Sequence, residues 1–180
     1  MYEELKMETN WWSTSFGEEE IEHIARSIRA GCISQGKVTA EFEKKLSEFL
    51  EVDHVVAVSN GSSALVIALM AIGIKPGDEV IVPNRTWTAT GHAVQLLGAK
   101  VVLVDVEPDR PLIDTTQIEE AITVNTKAII PVHLNGRSAK MRAIMKIAAR
   151  HNIAVIEDAA QALASRNADG YLGTQSDIGC

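Results

Sequence analysis

His54-Val-Val-Ala-Val-Ser-Asn-Gly-Ser-Ser-Ala-Leu-Val-Ile-Ala-Leu-Met-Ala-Ile-Gly73 changes character halfway along. Val55–Val58 is a short β-branched run, and such runs between turn residues predict a strand. From Ser63 to Ile72 the apolar stretch is long enough for a buried helix, and Gly73 sits where a helix stops. The same alternation recurs downstream. Val80–Val82, Val101–Val104, Ala128–Val132 and Ala154–Ile156 are predicted strands, and helices are predicted near Ala89–Leu97, Thr115–Ile122 and Ala139–His151. Strands apolar on both faces and separated by helices predict a mostly parallel sheet sandwiched by helices, an α/β fold.

Upstream of His54 the pattern is helical. Ser15-Phe-Gly-Glu18 fits a capping box, and Ile21, Ile24, Ala25 and Ile28 follow at helical spacing before Gly31. A second helix with Thr39 as its cap would carry Phe42, Leu46, Phe49 and Leu50 on one stripe. Asp114-Thr-Thr-Gln117 fits another capping box. The expected organisation is a helical segment over 1–53 followed by the sheet-forming part over 54–180. Downstream, Ser165 to Gly173 is turn-rich, and Ser176-Asp-Ile-Gly-Cys180 has the composition that precedes a strand.

Composition narrows the function. The chain has 180 residues, 46% of them apolar and 23% charged, which excludes a disordered or fibrous protein. A domain of this size buries roughly 70% of its unfolded surface and needs no covalent staples. Seventeen basic against twenty-four acidic residues give a net charge of −7. With no Lys/Arg run, that balance argues against nucleic acid or an anionic membrane as partner. Cys32 and Cys180 form no disulfide framework, the first residues are too polar for a signal peptide, and no apolar run spans a bilayer. The expected location is the cytoplasm.

Three segments fall after predicted strands, where open α/β sheets bind ligands. Ser59-Asn-Gly-Ser-Ser-Ala-Leu65 places Gly61, Ser62 and Ser63 at a helix N-terminus, whose unpaired amides accept an anion; equally, it is an ordinary strand–helix turn with a serine cap. Glu157 and Asp158 follow an apolar strand, and a carboxylate there needs a partner or serves as a cap. Trp87, in Pro83-Asn-Arg-Thr-Trp87, stacks on a planar ligand or plugs the core. Gly31 to Lys37 approaches a phosphate-binding P-loop, but Val38 stands where Ser or Thr is required. No zinc-type His/Cys spacing occurs. A phosphate cradle, a planar platform and an acid together suit a planar, phosphorylated, protonatable cofactor such as pyridoxal 5′-phosphate (PLP).

At these residues the chain resembles the DegT/DnrJ/EryC1/StrS family of PLP-dependent nucleotide-sugar aminotransferases. The resemblance runs in order from about Gly17 to the end. It includes Ser34-Gln-Gly36, Ser59 to Leu65, Pro76-Gly-Asp-Glu-Val-Ile-Val-Pro83, Thr86-Trp-Thr-Ala-Thr90, Thr126 to His133, Asn135-Gly136 and Glu157-Asp-Ala-Ala-Gln161. It implies the fold type I, aspartate-aminotransferase-like large domain. By resemblance, Ser62 and Ser63, with Gly61, bind the cofactor phosphate, Trp87 stacks on the pyridine ring, Asp158 pairs with the ring nitrogen and Gln161 bonds the ring hydroxyl.

The Schiff-base lysine of the family lies a few residues past the point matching Cys180, outside this chain. The family resemblance therefore implies an N-terminal portion of a longer enzyme. Its substrates would be a nucleotide-linked keto sugar and an amino-acid donor, usually glutamate, with a role in cell-surface polysaccharide biosynthesis. It would be a homodimer, with Trp11-Trp12 and the Gly31–Val38 loop reaching across. The same family contains dehydratases with histidine in place of the lysine, and a non-enzymatic binding or regulatory fragment is the alternative of another class.

Overall fold

A computed structural model describes residues 14–180. Two helices come first, α1 (Glu18–Arg29) and α2 (Lys37–Leu50). The alternating part follows as α3 (Gly61–Ala71), β1 (Glu79–Pro83), α4 (Ala89–Leu96), β2 (Lys100–Val104), α5 (Thr115–Ala121), β3 (Thr126–Ile129), α6 (Met141–His151) and β4 (Ala154–Glu157). A small antiparallel hairpin, β5 (Arg166–Asn167) with β6 (Gly170–Tyr171), precedes the short strand β7 (Ile178–Gly179).

β2-β1-β3-β4-β7 form one sheet in that order, and every pair in it is parallel. Because side chains alternate across a strand, β1 feeds two cores at once. Val80 and Val82 join Leu65, Leu69, Ala93 and Val94 of α3 and α4 on one face. Ile81 joins Ile118 of α5 and Ile144, Ile147 and Ala148 of α6 on the other. All five residues of β1 are buried, as expected of a central strand covered on both sides. The parallel, helix-covered sheet expected from the sequence is the fold.

Local details differ from the sequence reading. Val55–Val58 is not a strand. Its exposure alternates, with Val55 and Ala57 half-buried and Val56 and Val58 exposed, which is the period of extended chain. Among the described residues it has no neighbouring strand to pair with, and the Ala57 amide bonds the Glu43 carboxylate instead. A strand needs a ladder as well as a propensity.

The first helix starts at Gly17 rather than at Ser15: the Gly17 amide donates to Glu20 Oε2 at 2.6 Å. Gly36, not Thr39, precedes α2. Asp114 caps α5 as expected, accepting from the Thr116 amide at 2.9 Å, but the Gln117 side chain donates to the Asp114 carboxylate instead of accepting from the Asp114 amide. The segment near Cys180 does become a strand. β7 lies beside β4, where a Cβ at Gly179 would overlap the Gly173 carbonyl oxygen.

Candidate active site

The carboxyl ends of β1, β3 and β4 and the N-terminus of α3 surround a cleft of about 220 Å3. Gly61, Ser62, Trp87, Asp158 and Gln161 all line it, together with Thr90, which the sequence reading did not single out. Ser63 does not line it. The Ser63 amide is committed to the Asn60 side chain at 2.9 Å, and its hydroxyl lies 3.3 Å from that of Ser59. The helix cap is therefore Asn60, not a serine.

That cap satisfies only part of the helix end. Among the described residues, the amides of Gly61 and Ser62 have no protein acceptor. A Cβ built on Gly61 meets nothing within 4 Å, and Gly61 and Ser62 are both exposed on the cleft. Free amides and the positive end of an eleven-residue helix make an anion cradle.

Across the cleft, Trp87 is 75% exposed on the turn between β1 and α4. A core plug would be buried, so its ring face is available. Asp158 follows β4 and is only 7% exposed. Its backbone continues the ladder, donating to the Pro131 carbonyl and accepting from the His133 amide. Its carboxylate accepts from Thr90 Oγ1 at 2.8 Å and, at 3.3 Å, from the Ala160 amide. Two acceptor sites of about four are thereby used, and the rest are left for the cleft. Gln161 Oε1 accepts the Asn135 amide at 2.8 Å, which leaves Nε2 as its free donor.

Among the described residues, Asp158 is the one carboxylate on the lining. Cys180 also faces the cleft, but burial, with the negative charge of Asp158 adding to it, pushes its thiol up to about 11. Among the described residues, no lysine lines the cleft. A larger hollow of about 450 Å3 lies beyond β2, around Arg85 and the loop from Asp105 to Asp114. Its buried acid Glu107 accepts from Arg110 at 2.7 Å through Oε2, while Oε1 lies 3.1 Å from the Lys140 amine without a hydrogen bond among the described residues.

Residues 14–180 match the model of the DegT/DnrJ/EryC1/StrS aminotransferase family. This chain belongs to that family. Among solved structures it is similar to DesV of S. venezuelae, in complex with a ketimine intermediate, with 40% identity and a TM-score of 0.81. That match covers 87% of this chain and 43% of DesV. NtdA of Bacillus subtilis, solved with bound cofactor PMP, is 39% identical with a TM-score of 0.82, over 87% of this chain and 36% of its own. A DegT/DnrJ/EryC1/StrS aminotransferase from Brucella abortus is 40% identical with a TM-score of 0.82, over 87% and 44%. This chain thus spans less than half the length of these three proteins.

Within this DegT/DnrJ/EryC1/StrS chain the structure adds a supporting pair that the sequence reading left without a role. His133 and Glu157 are both fully buried, and His133 Nε2 lies 2.8 Å from Glu157 Oε2. His133 Nδ1 accepts the Ala139 amide, so the ring proton sits on Nε2 and is donated to Glu157. Glu157 also accepts the amides of Gly173 and Gln175. Burial would raise the Glu157 carboxyl, but these three donors outweigh it and hold it below the usual carboxylate range. The pair ties the ends of β3 and β4 to the segment that returns through β7.

Proposed function

We propose that this chain is the cofactor-binding N-terminal portion of a PLP-dependent aminotransferase that aminates a keto group of a nucleotide-linked sugar, with glutamate as the usual donor. The observation that carries the proposal is the meeting of an open helix N-terminus, an exposed indole, a buried acid and a free amide donor in one cleft. These residues fit the cofactor. The Gly61 and Ser62 amides and the Ser62 hydroxyl would hold the phosphate, with Ser63 bracing the turn through Asn60 and Ser59. Trp87 would cover one ring face, and Gln161 Nε2 would donate to the ring hydroxyl. Asp158 would keep a proton on the ring nitrogen. When bound, PLP supplies an electron sink for the carbanion left by loss of an α-proton.

The proposal also assigns the Schiff-base lysine to sequence beyond Cys180, because no lysine lines the cleft among the described residues. It keeps residues 54–180 as the first part of the large domain and 1–53 as a helical segment leading into it. Two free cysteines and the absence, among the described residues, of a helix long and apolar enough to cross a membrane support a cytoplasmic location.

The test uses the full-length enzyme loaded with PLP and mixed with L-glutamate. Stoichiometric 2-oxoglutarate should form, and a nucleotide-linked keto sugar should then be aminated. Asp158→Asn should abolish both steps with an unchanged circular dichroism spectrum, since the change is nearly isosteric. Turnover of that variant within a few-fold of wild type would reduce Asp158 to a structural cap.

A further inference from the structure

Thr90 is fully buried in the first turn of α4, yet it carries a hydroxyl where valine would have the same shape. A buried hydroxyl costs stability unless it is bonded. Here it is bonded twice. Oγ1 donates to Asp158 Oδ2 at 2.8 Å, joining residues 68 apart in sequence, and lies 3.2 Å from Thr86 Oγ1. A hydroxyl has a single proton, so with the Thr90 proton given to Asp158 the Thr86 proton is the one shared between the two threonines. The direction is Thr86 to Thr90 to Asp158, and such chains strengthen each member. Thr90 also donates its backbone amide to the Trp87 carbonyl at 3.2 Å. One residue therefore fastens both the acid and the turn that carries the indole.

We propose that Thr90, backed by Thr86, is a positioning residue that fixes the plane of the Asp158 carboxylate toward the cleft. The inference rests on the reading of Asp158 as the partner of the cofactor ring nitrogen. Without the Thr90 hydroxyl, the carboxylate keeps only the long bond from the Ala160 amide. The terminal torsion of aspartate is broad, so a carboxylate held at one end swings.

The experiment uses the full-length enzyme and pyridoxamine 5′-phosphate labelled with 15N in its ring. Two quantities are read: the dissociation constant, and the pH at which the ring nitrogen loses its proton, seen in its 15N shift. Thr90→Val should raise the dissociation constant about tenfold, the scale of one hydrogen bond to a charged group. It should also move loss of the ring proton to lower pH. Thr90→Ser, which keeps the hydroxyl, should restore both. Thr86→Val should shift both in the same direction by less, and it serves in its place if Thr90→Val does not fold.

Wild-type binding and wild-type ring titration in folded Thr90→Val, or in Thr86→Val where it stands in, would overturn the inference. Asp158→Asn is measured alongside. If it moves the ring titration and the threonine variants do not, only the positioning role falls. If it leaves the titration unchanged, or if wild type binds no cofactor, the reading of the site falls with it.

Discussion

Glu157 and Asp158 are neighbours at the end of one strand, and the structure gives them opposite tasks. Asp158 turns into the cleft, whereas Glu157 is fully buried under three donors from His133, Gly173 and Gln175. Its carboxyl lies below the ordinary value of about 4.3 that it has in an unfolded chain. A depressed folded value means that stability is gained above the unfolded value and lost as pH falls through the folded one. Glu157→Gln should therefore cost about 1–3 kcal/mol at neutral pH, because an amide cannot accept from all three donors. Thermal melts taken toward acid should show the gap between wild type and variant closing below about pH 4. A gap constant across pH would mean that the negative charge is not what the donors hold. The sequence made it plain that two acids after an apolar strand need partners. It did not identify His133, 24 residues upstream, because that pairing depends on β3 and β4 lying side by side. Thr90 was hidden for the same reason, since its partner stands on a different strand end.

Elements were easier to read than contacts where both sides of the sheet are covered. The β1 and β4 runs are β-branched, bounded by turns and separated by helices, so local composition and tertiary environment agree. The reading failed at Val55–Val58, where composition favours a strand but no neighbour completes one among the described residues. It also misplaced the starts of α1 and α2, because a glycine backbone serves in place of the expected hydroxyl cap. The two-sided core gives an element-level test. Ile81→Ala removes a fully buried side chain from the face shared with α5 and α6, and should cost about 2–5 kcal/mol in urea unfolding. Ile24→Ala on α1, where Ile24 is 59% exposed, should stay within about 0.5 kcal/mol in this 180-residue chain. Equal losses would show that the α1 stripe is packed rather than open.

At the scale of the whole molecule, the described residues leave apolar surface open and amines away from the cleft. Ile21, Ile24 and Ile28 expose one face of α1, and Phe42 and Phe49 are exposed on α2. Trp11-Trp12, expected to reach a partner subunit, lies outside the described residues. The homodimer that the family resemblance implies for the full-length enzyme would cover such a face, and a monomer in sedimentation at working concentration would overturn that expectation. The amines bear on the chemistry more directly. Lys44 and Lys45 pair with Glu48 and Glu41 along α2, and Lys37 is the first residue of that helix. Lys100 is bonded to Glu79 and Lys140 is ion-paired with Glu107, while Lys146 lies on α6. Lys75 precedes β1 and Lys127 is the second residue of β3, at the sheet end away from Ser62, Trp87 and Asp158. Lys6 is outside the described residues. A covalent bond to PLP needs an amine held against the aldehyde carbon, and a lysine on a solvated helix face or at the opposite sheet end cannot supply one. Borohydride reduction of the 180-residue chain soaked in PLP, followed by peptide mapping, should therefore yield no specific adduct. A single stoichiometric phosphopyridoxyl-lysine within residues 1–180 would place the reactive amine on this chain and overturn its assignment to sequence beyond Cys180.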